Sequence, residues 1–244
     1  MADRCVVVTG VSKGLGEAIA ANLLARGFDV VGIGRSASSR LSSPAFRLER
    51  VDLADATSLA TIAGAVFAKL AATPLASIAV VNNAAVAGPV GTFGGLAARE
   101  VAESLAVNLV APTIIANAFV HAFGDATGDR RVVNVSSGAA IHPIAGAGVY
   151  NVAKAGLEML TAALAAENAS SGLRAITIRP GVIDTPMQVF LRMQPPERMP
   201  SLAMFRSFHE SGQLVPADVT ASKIVDRLII APVDNGRIYD YAEL

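Results

Sequence analysis

The sequence predicts one open α/β domain, a parallel sheet with helices on both faces, spanning residues 1–244. Three observations predict it. Short β-branched runs alternate with helix-length segments from one end of the chain to the other. The run at 4–9 is apolar on both faces, as a strand sandwiched between two helix layers is. The first of them, 4–9, leads through a glycine-rich turn straight into a helix, the opening of a βαβ unit. A composition of 52% hydrophobic and 16% charged residues supports a large core and argues against disorder.

The bulk charge excludes some functions. Formal net charge is zero, so no basic field is available for nucleic acid or a membrane surface. Aromatic residues make up 5% and Trp is absent, which argues against base-stacking platforms. The single cysteine, Cys5, sits in the first apolar run and has no internal disulfide partner, which fits burial and a reducing cytosol. His121, His142 and His209 are scattered without metal-ligand spacing, so no metal site is expected. Asp3 and Arg4 interrupt the head of the chain, so no secretory signal and a cytoplasmic location are expected. The stretch 104–124 has no formal charge but carries Asn108, Pro112, Asn117 and His121, and reads as a buried helix in place of a membrane span.

Taken in order, strand 4–9 ends in Thr9-Gly10-Val11-Ser12-Lys13-Gly14-Leu15-Gly16, followed by helix 17–26. Glycines let a backbone approach a pyrophosphate, and a helix N-terminus offers it unpaired N–H groups. A plain glycine turn is the alternative; its place between strand and helix favours a ligand. Gly27-Phe28 caps that helix, and strand 29–33 ends in Gly34-Arg35-Ser36. In a site for NAD an acidic residue about twenty positions on holds the ribose. Here the position nineteen after Gly16 is Arg35, and Lys13 adds a second cation. Singly these read as solvated surface charges. Jointly, with Ser36, they suit a 2′-phosphate and favour NADP(H).

Strand 45–51 runs into Asp52-Leu53, which would lie beside an adenine, and Asp55 opens a helix to about residue 70. Strand 75–81 ends in Asn82-Asn83-Ala84-Ala85, whose amides could tie strands, cap a turn or meet the cofactor. Residues 88–95 read as a flexible loop. Helix 96–123 carries Asn108 at its middle, and Pro112 frees a carbonyl there, which predicts a local distortion. Strand 131–136, a small-residue loop 137–148, helix 150–171 and strand 173–179 follow. Residues 180–187 then lie at the carboxyl edge of the sheet, where open α/β sheets bind ligands. The segment 188–211, with Met193, Met199 and Met204 after Met187, reads as a mobile lid over an apolar ligand or as a packing arm. Helix 216–230 and strand 237–241 close the chain. No composition break marks a second domain, so one domain with a lid at about 186–212 is expected.

Tyr150 and Lys154 are one helical turn apart and share a face. A cation beside a phenol lowers its pKa from about 10, making it a usable proton donor or acceptor. A surface helix pair has the same spacing. Ser137, at the tip of strand 131–136, brings a hydroxyl to a strand end.

Thr9-Gly10-x3-Gly14-x-Gly16, Asn82-Asn83-Ala84, Asn108, Ser137, Tyr150-x3-Lys154 and Pro180-Gly181 occur in one order. The set closely resembles the short-chain dehydrogenase/reductase family over nearly the whole chain. The resemblance implies a Rossmann-like, doubly wound sheet of seven parallel strands. It implies that Tyr150 gives a proton to a substrate carbonyl, that Ser137 hydrogen-bonds that oxygen, that Lys154 lowers the Tyr150 pKa and holds the nicotinamide ribose, and that Asn108 anchors a water leading from Lys154. NADP(H) would lie along Gly10, Ser12, Lys13, Gly14, Leu15 and Gly16, with Arg35 and Ser36 at its phosphate and Asp52 and Leu53 at its adenine. Asn83, Ala84, Tyr150, Lys154 and Pro180, Gly181, Val182, Ile183 and Thr185 would line the rest. One departure is Ala85, where the family usually has Gly. Ser136-Ser137-Gly138-Ala139-Ala140, the run 180–188 and 210–214 resemble the sepiapterin reductase and bacterial benzil reductase branch. The implied activity is reduction of a ketone or diketone; another alcohol/ketone pair, such as a 3-oxoacyl or sugar substrate, and a non-catalytic NADPH-binding regulator are the alternatives. The resemblance further implies a homodimer or homotetramer joined through helices 96–123 and 149–171.

Overall fold

The computed structural model describes residues 3–244. Its main sheet has seven parallel strands, in the order β3-β2-β1-β4-β5-β6-β9. These are β1 (Arg4–Thr9), β2 (Asp29–Gly34), β3 (Phe46–Arg50), β4 (Ser77–Asn82), β5 (Asp129–Val135), β6 (Arg174–Arg179) and β9 (Ile238–Asp240). A small parallel pair, β7 (Ile183–Asp184) and β8 (Val215–Pro216), stands apart from it. The sequence did not signal that pair. Each of its strands is two residues long, too short for any periodicity.

Alternate side chains of each strand serve opposite faces. Val6 and Val8 pack with Ile19 and Leu23 of α1 (Gly14–Ala25) and with Ile224 of α8 (Ala217–Ile224). Cys5 and Val7 pack on the other face with Leu59 and Phe67 of α2 (Ala56–Ala71) and Ile115 and Phe119 of α4 (Ala111–Phe123). Phe67 meets Phe119 edge to face at 5.4 Å between centroids, and burying each such ring contributes about 1.5–3 kcal/mol. Cys5 is buried as expected, and burial pushes its thiol up to about 12, so it is inert.

The remaining helices are α3 (Ala98–Leu105), α5 (Gly148–Glu167), α6 (Pro186–Arg192) and α7 (Leu202–Glu210). α3 and α4 form one continuous rod, Ala98–Phe123, the one helix among the described residues long and apolar enough to cross a membrane. Its Ile115, Phe119 and Phe123 instead face the core. The rod widens for one π-type turn at Ala106–Val110. Pro112 has no N–H to give the Asn108 carbonyl, so the predicted distortion has this form.

A buried polar ladder ties the centre. Asn82 Nδ2 donates to Asn134 Oδ1 at 2.9 Å, Asn134 Nδ2 donates to Thr161 Oγ1 at 2.8 Å, and Thr161 meets Thr177 at 2.6 Å. It crosses β4, β5, α5 and β6, so the first Asn of Asn82-Asn83 fixes strands. At the helix ends, Arg130 donates to the carbonyls of Phe123 and Gly124 at 2.8 and 2.7 Å and of Ser171 at 2.5 Å, capping α4 with a buried cation.

Strand order reverses between β1 and β4: the chain winds outward from β1 to β3, then resumes on the other side with β4. The crevice outside their carboxyl ends is where open α/β sheets take ligands.

Candidate active site

The floor of that crevice is the turn after β1. Gly10 and Gly14 have φ of +74° and +63°, a region closed to most L-residues. Gly16 has no room at all: a Cβ would lie 2.3 Å from Asn83 Nδ2 and from the Gly10 carbonyl. Asn83 spends its amide holding this turn, donating to the carbonyl of Thr9 at 3.0 Å. The N–H groups of Asn83 and Ala84 both donate to Thr9 Oγ1 at 2.9 Å. Ala85 introduces no left-handed strain, since no described non-glycine residue has positive φ.

The first turn of α1 faces the crevice without a side-chain cap, because Lys13 in the cap position makes no such bond. Free N–H groups at a helix start suit an anion. The β2 turn leans on this one: Gly10 N–H donates to the Ile33 carbonyl at 3.1 Å and Ser38 N–H to the Val11 carbonyl at 3.3 Å. That sets Arg35 and Ser36, both exposed, beside the exposed Ser12 and Lys13. Arg50 at the tip of β3 donates to the Arg35 carbonyl at 3.0 Å, a third cation at this end that sequence reading missed. Asp52 is exposed and Leu53 buried just beyond it.

At the other end of the crevice, Lys154 is 2% exposed and donates from Nζ to the Val135 carbonyl at 2.7 Å. Tyr150 lies with its ring centroid 5.5 Å from that nitrogen. Tyr150 as a residue is half-buried, but its phenol end is enclosed, and burial pushes its pKa up to about 12 while a hydrogen bond with Ser137 acts the other way. The net shift is therefore upward, with burial as its largest cause, where the sequence led us to expect a lowered value. Lys154 is anchored on the strand carbonyl, and burial brings its own pKa down to about 8. Ser137 accepts from the Ala139 N–H at 3.1 Å, capping a short turn at Gly138–Ala140.

Asn108 points its amide at the chain after β4. Its Oδ1 accepts from the Val86 N–H at 2.9 Å and its Nδ2 donates to the Val86 carbonyl at 2.8 Å. Asn151, also missed in the sequence, donates to the carbonyls of Ala139 and His142 at 2.5 and 3.1 Å and so holds the loop of Ser137. Beyond β6, Pro180 is buried and Gly181 has φ of +75°. Val182 accepts from Val215 N–H at 2.9 Å, Ile183 is buried in β7, and Thr185 precedes α6. A Cβ on Gly14 would lie 3.4 Å from Thr185 Cγ2, so the lid's root adjoins the glycine turn.

The lid region is held at its far side. Arg198 Nε donates to the Val90 carbonyl at 2.9 Å, Ser201 N–H reaches the Ala145 carbonyl at 3.4 Å, and Met199 is fully buried. The 88–95 loop is likewise tied: Gly91 N–H donates to the Gly146 carbonyl at 2.9 Å and Val90 is buried. The expectation of a flexible loop therefore fails at its middle. Leu191, Met199, Leu202 and Phe205 form a third apolar cluster, against which Tyr150, Ile144, Met187 and Phe208 pack.

A family model for short chain dehydrogenases matches residues 4–195. The chain belongs to the short-chain dehydrogenase family. It is therefore an oxidoreductase acting on carbonyl or alcohol groups with a nicotinamide dinucleotide. It is 30% identical over 239 residues to a benzil reductase ((S)-benzoin forming) of Bacillus subtilis, covering 97% of this chain and 98% of that one. It is 32% identical over 253 residues to the sepiapterin reductase of Meriones unguiculatus, covering 96% and 95%. The crystal structure of KRED1-Pglu superposes with a TM-score of 0.84 at 28% identity, covering 97% of this chain and all of that one. This short-chain dehydrogenase fits a dinucleotide by its own geometry: a turn with no room for Cβ atoms, an uncapped helix start, and cations beside it.

Proposed function

We propose that this protein is an NADPH-dependent carbonyl reductase for an apolar ketone or diketone of the benzil or sepiapterin kind. The observation that carries the reading is the surroundings of Tyr150. The residue that would deliver the proton packs, as Ile144, Met187 and Phe208 do, against the apolar cluster of Leu191, Met199, Leu202 and Phe205, surroundings that suit an aryl or alkyl carbonyl better than a sugar. The preference for NADPH rests on Lys13, Arg35 and Arg50 at the far end of the crevice, where a 2′-phosphate would find cations and Ser36.

When bound, the reduced nicotinamide supplies the hydride. The chain supplies position and a proton. Tyr150 Oη donates its proton to the carbonyl oxygen as negative charge grows there, and Ser137 Oγ hydrogen-bonds the same oxygen. A phenol pushed up to about 12 is fully protonated at neutral pH. That suits reduction, where the acid must arrive loaded, and opposes alcohol oxidation, where it must arrive as phenolate. Lys154 would meet the ribose hydroxyls, and Asn108 would steady the wide turn beside it. The 186–212 segment would cover the substrate, excluding water.

Val110 of the Ala98–Phe123 rod and Val152 and Met159 of α5 are exposed by 42%, 55% and 68%, which suits burial of these two helices against a second copy. The deciding experiment is NADPH oxidation by purified protein with benzil, sepiapterin and a panel of ketones. Turnover of apolar ketones is the expected result. No oxidation with any of them removes the reductase reading.

A further inference from the structure

Three consecutive residues at the tip of β5 each hold a different turn of α5. The Val135 carbonyl takes Lys154 Nζ at 2.7 Å, Ser136 Oγ donates to Glu158 Oε1 at 2.9 Å, and Ser137 hydrogen-bonds Tyr150. Tyr150, Lys154 and Glu158 are spaced by four and line one face of the helix. Two of them belong to the reaction proposed above; Glu158 does not.

Glu158 is nevertheless the most heavily bonded of the three. Its carboxylate accepts from Arg179 Nε and Nη2, both at 2.8 Å, besides Ser136. The side chains of Glu158 and Arg179 are only 11% and 13% exposed. Arg179 is the last residue of β6, next to Pro180-Gly181, and it also approaches Asp240 of β9 at 3.6 Å.

We infer that Glu158 and Arg179 are positioning residues, a bidentate clamp that sets the rotation of α5 against the tips of β5 and β6 and so aims Tyr150 and Lys154 into the crevice. The inference rests on the reductase reading for its kinetic consequence but not for its structural one. A planar two-bond pair fixes angle as well as distance. Displacements of about 1 Å in a reacting group cost on the order of 100-fold in rate. Losing Arg179 leaves the enclosed Glu158 carboxylate with Ser136 alone, and losing Glu158 leaves Arg179 only its longer contact with Asp240.

The test uses full-length Glu158→Ala, Glu158→Gln and Arg179→Ala proteins with NADPH and benzil as the probe carbonyl. Hydrogen exchange is followed over 133–140, 148–160 and, as a control, 4–12. Glu158→Ala should lower kcat about 100-fold while KM for NADPH stays within about threefold, with faster exchange in the first two segments only. Glu158→Gln keeps an acceptor for Ser136 and for one Arg179 N–H, and should recover to within about tenfold of wild type. Arg179→Ala should match Glu158→Ala, and the double variant should be no worse than either. Wild-type kcat and wild-type exchange in Glu158→Ala overturn the clamp. So does exchange rising equally in all three segments with loss of NADPH binding, which marks a general loss of stability. If the wild type turns over no carbonyl, the reductase reading falls and the exchange pattern alone decides the clamp.

Discussion

Lys154 Nζ donates to the carbonyl oxygen of Val135 at 2.7 Å, at the tip of the strand that leads to Ser137. The bond fixes the ammonium 5.5 Å from the centroid of the Tyr150 ring. The lysine is anchored to the sheet and pays for its burial in charge affinity. Tyr150 keeps its proton.

The first consequence concerns pH and direction. With Tyr150 near 12 and Lys154 near 8, carbonyl reduction should be level across pH 6–7.5 and decline as Lys154 loses its charge. Alcohol oxidation needs the phenolate as well as the charged lysine, and should rise roughly tenfold per unit from pH 6 to 8, then level off as Lys154 loses its charge. Initial rates in both directions over this range check it. Oxidation that is independent of pH would contradict a high Tyr150 pKa.

Replacing Tyr150 by Phe removes the proton and leaves the ring in its apolar wall. Reduction should fall by about 10²–10⁴-fold, with NADPH affinity by fluorescence titration within about threefold. Activity near wild type would remove Tyr150 as the acid.

Lys154 has a stability signature of its own. Burial lowers its pKa from 10.5 to about 8, so in this range the unfolded chain binds more protons than the folded one. The penalty is full below pH 8 and disappears as pH rises to about 10.5; its size is about 3 kcal/mol. Lys154→Met lacks the penalty and also lacks the bond to Val135. The difference in unfolding free energy between variant and wild type, by urea titration, should therefore shift in favour of wild type from pH 7 to 10.5. A difference that does not vary with pH would refute the buried-cation account.

Arg35→Asp should reverse the charge at the proposed phosphate end. A charge-assisted hydrogen bond is worth about 1.5–3 kcal/mol, so kcat/KM for NADPH should drop roughly 10- to 100-fold while that for NADH changes little. Arg50→Ala should move the ratio the same way by less. An unchanged cofactor ratio in Arg35→Asp would argue against NADPH preference.

Gly16→Ala tests the crevice floor. Its Cβ would sit 2.3 Å from Asn83 Nδ2 and the Gly10 carbonyl, and overpacking of this kind costs about 1–3 kcal/mol or more. A lowered Tm together with weaker NADPH binding is expected. Wild-type values for both would mean that the turn can shift freely.

Much of this was legible in the sequence because the signals were local. β-branched runs, the Thr9–Gly16 turn, the Tyr150–Lys154 spacing and Pro112 near Asn108 each act within a few residues of themselves. What was not legible depends on partners far along the chain. Arg50 reaches the Arg35 carbonyl only because β3 pairs with β2. Glu158 meets Arg179 across two elements, although its place one turn beyond Lys154, and that of Arg179 before Pro180-Gly181, were hints. The anchoring of the lid by Arg198 to Val90 spans more than a hundred residues. The Tyr150 pKa is raised by burial, and a spacing of four residues shows that a cation is near but not how deeply the phenol is enclosed.

The consecutive contacts of Val135, Ser136 and Ser137 carry a consequence for how such a chain tolerates change in length. Adding or deleting one residue at that tip would flip which side chains face the helix, breaking three couplings together. A library of single-codon insertions and deletions across the protein should find its deepest intolerance there, deeper than at the exposed turn residue Thr127.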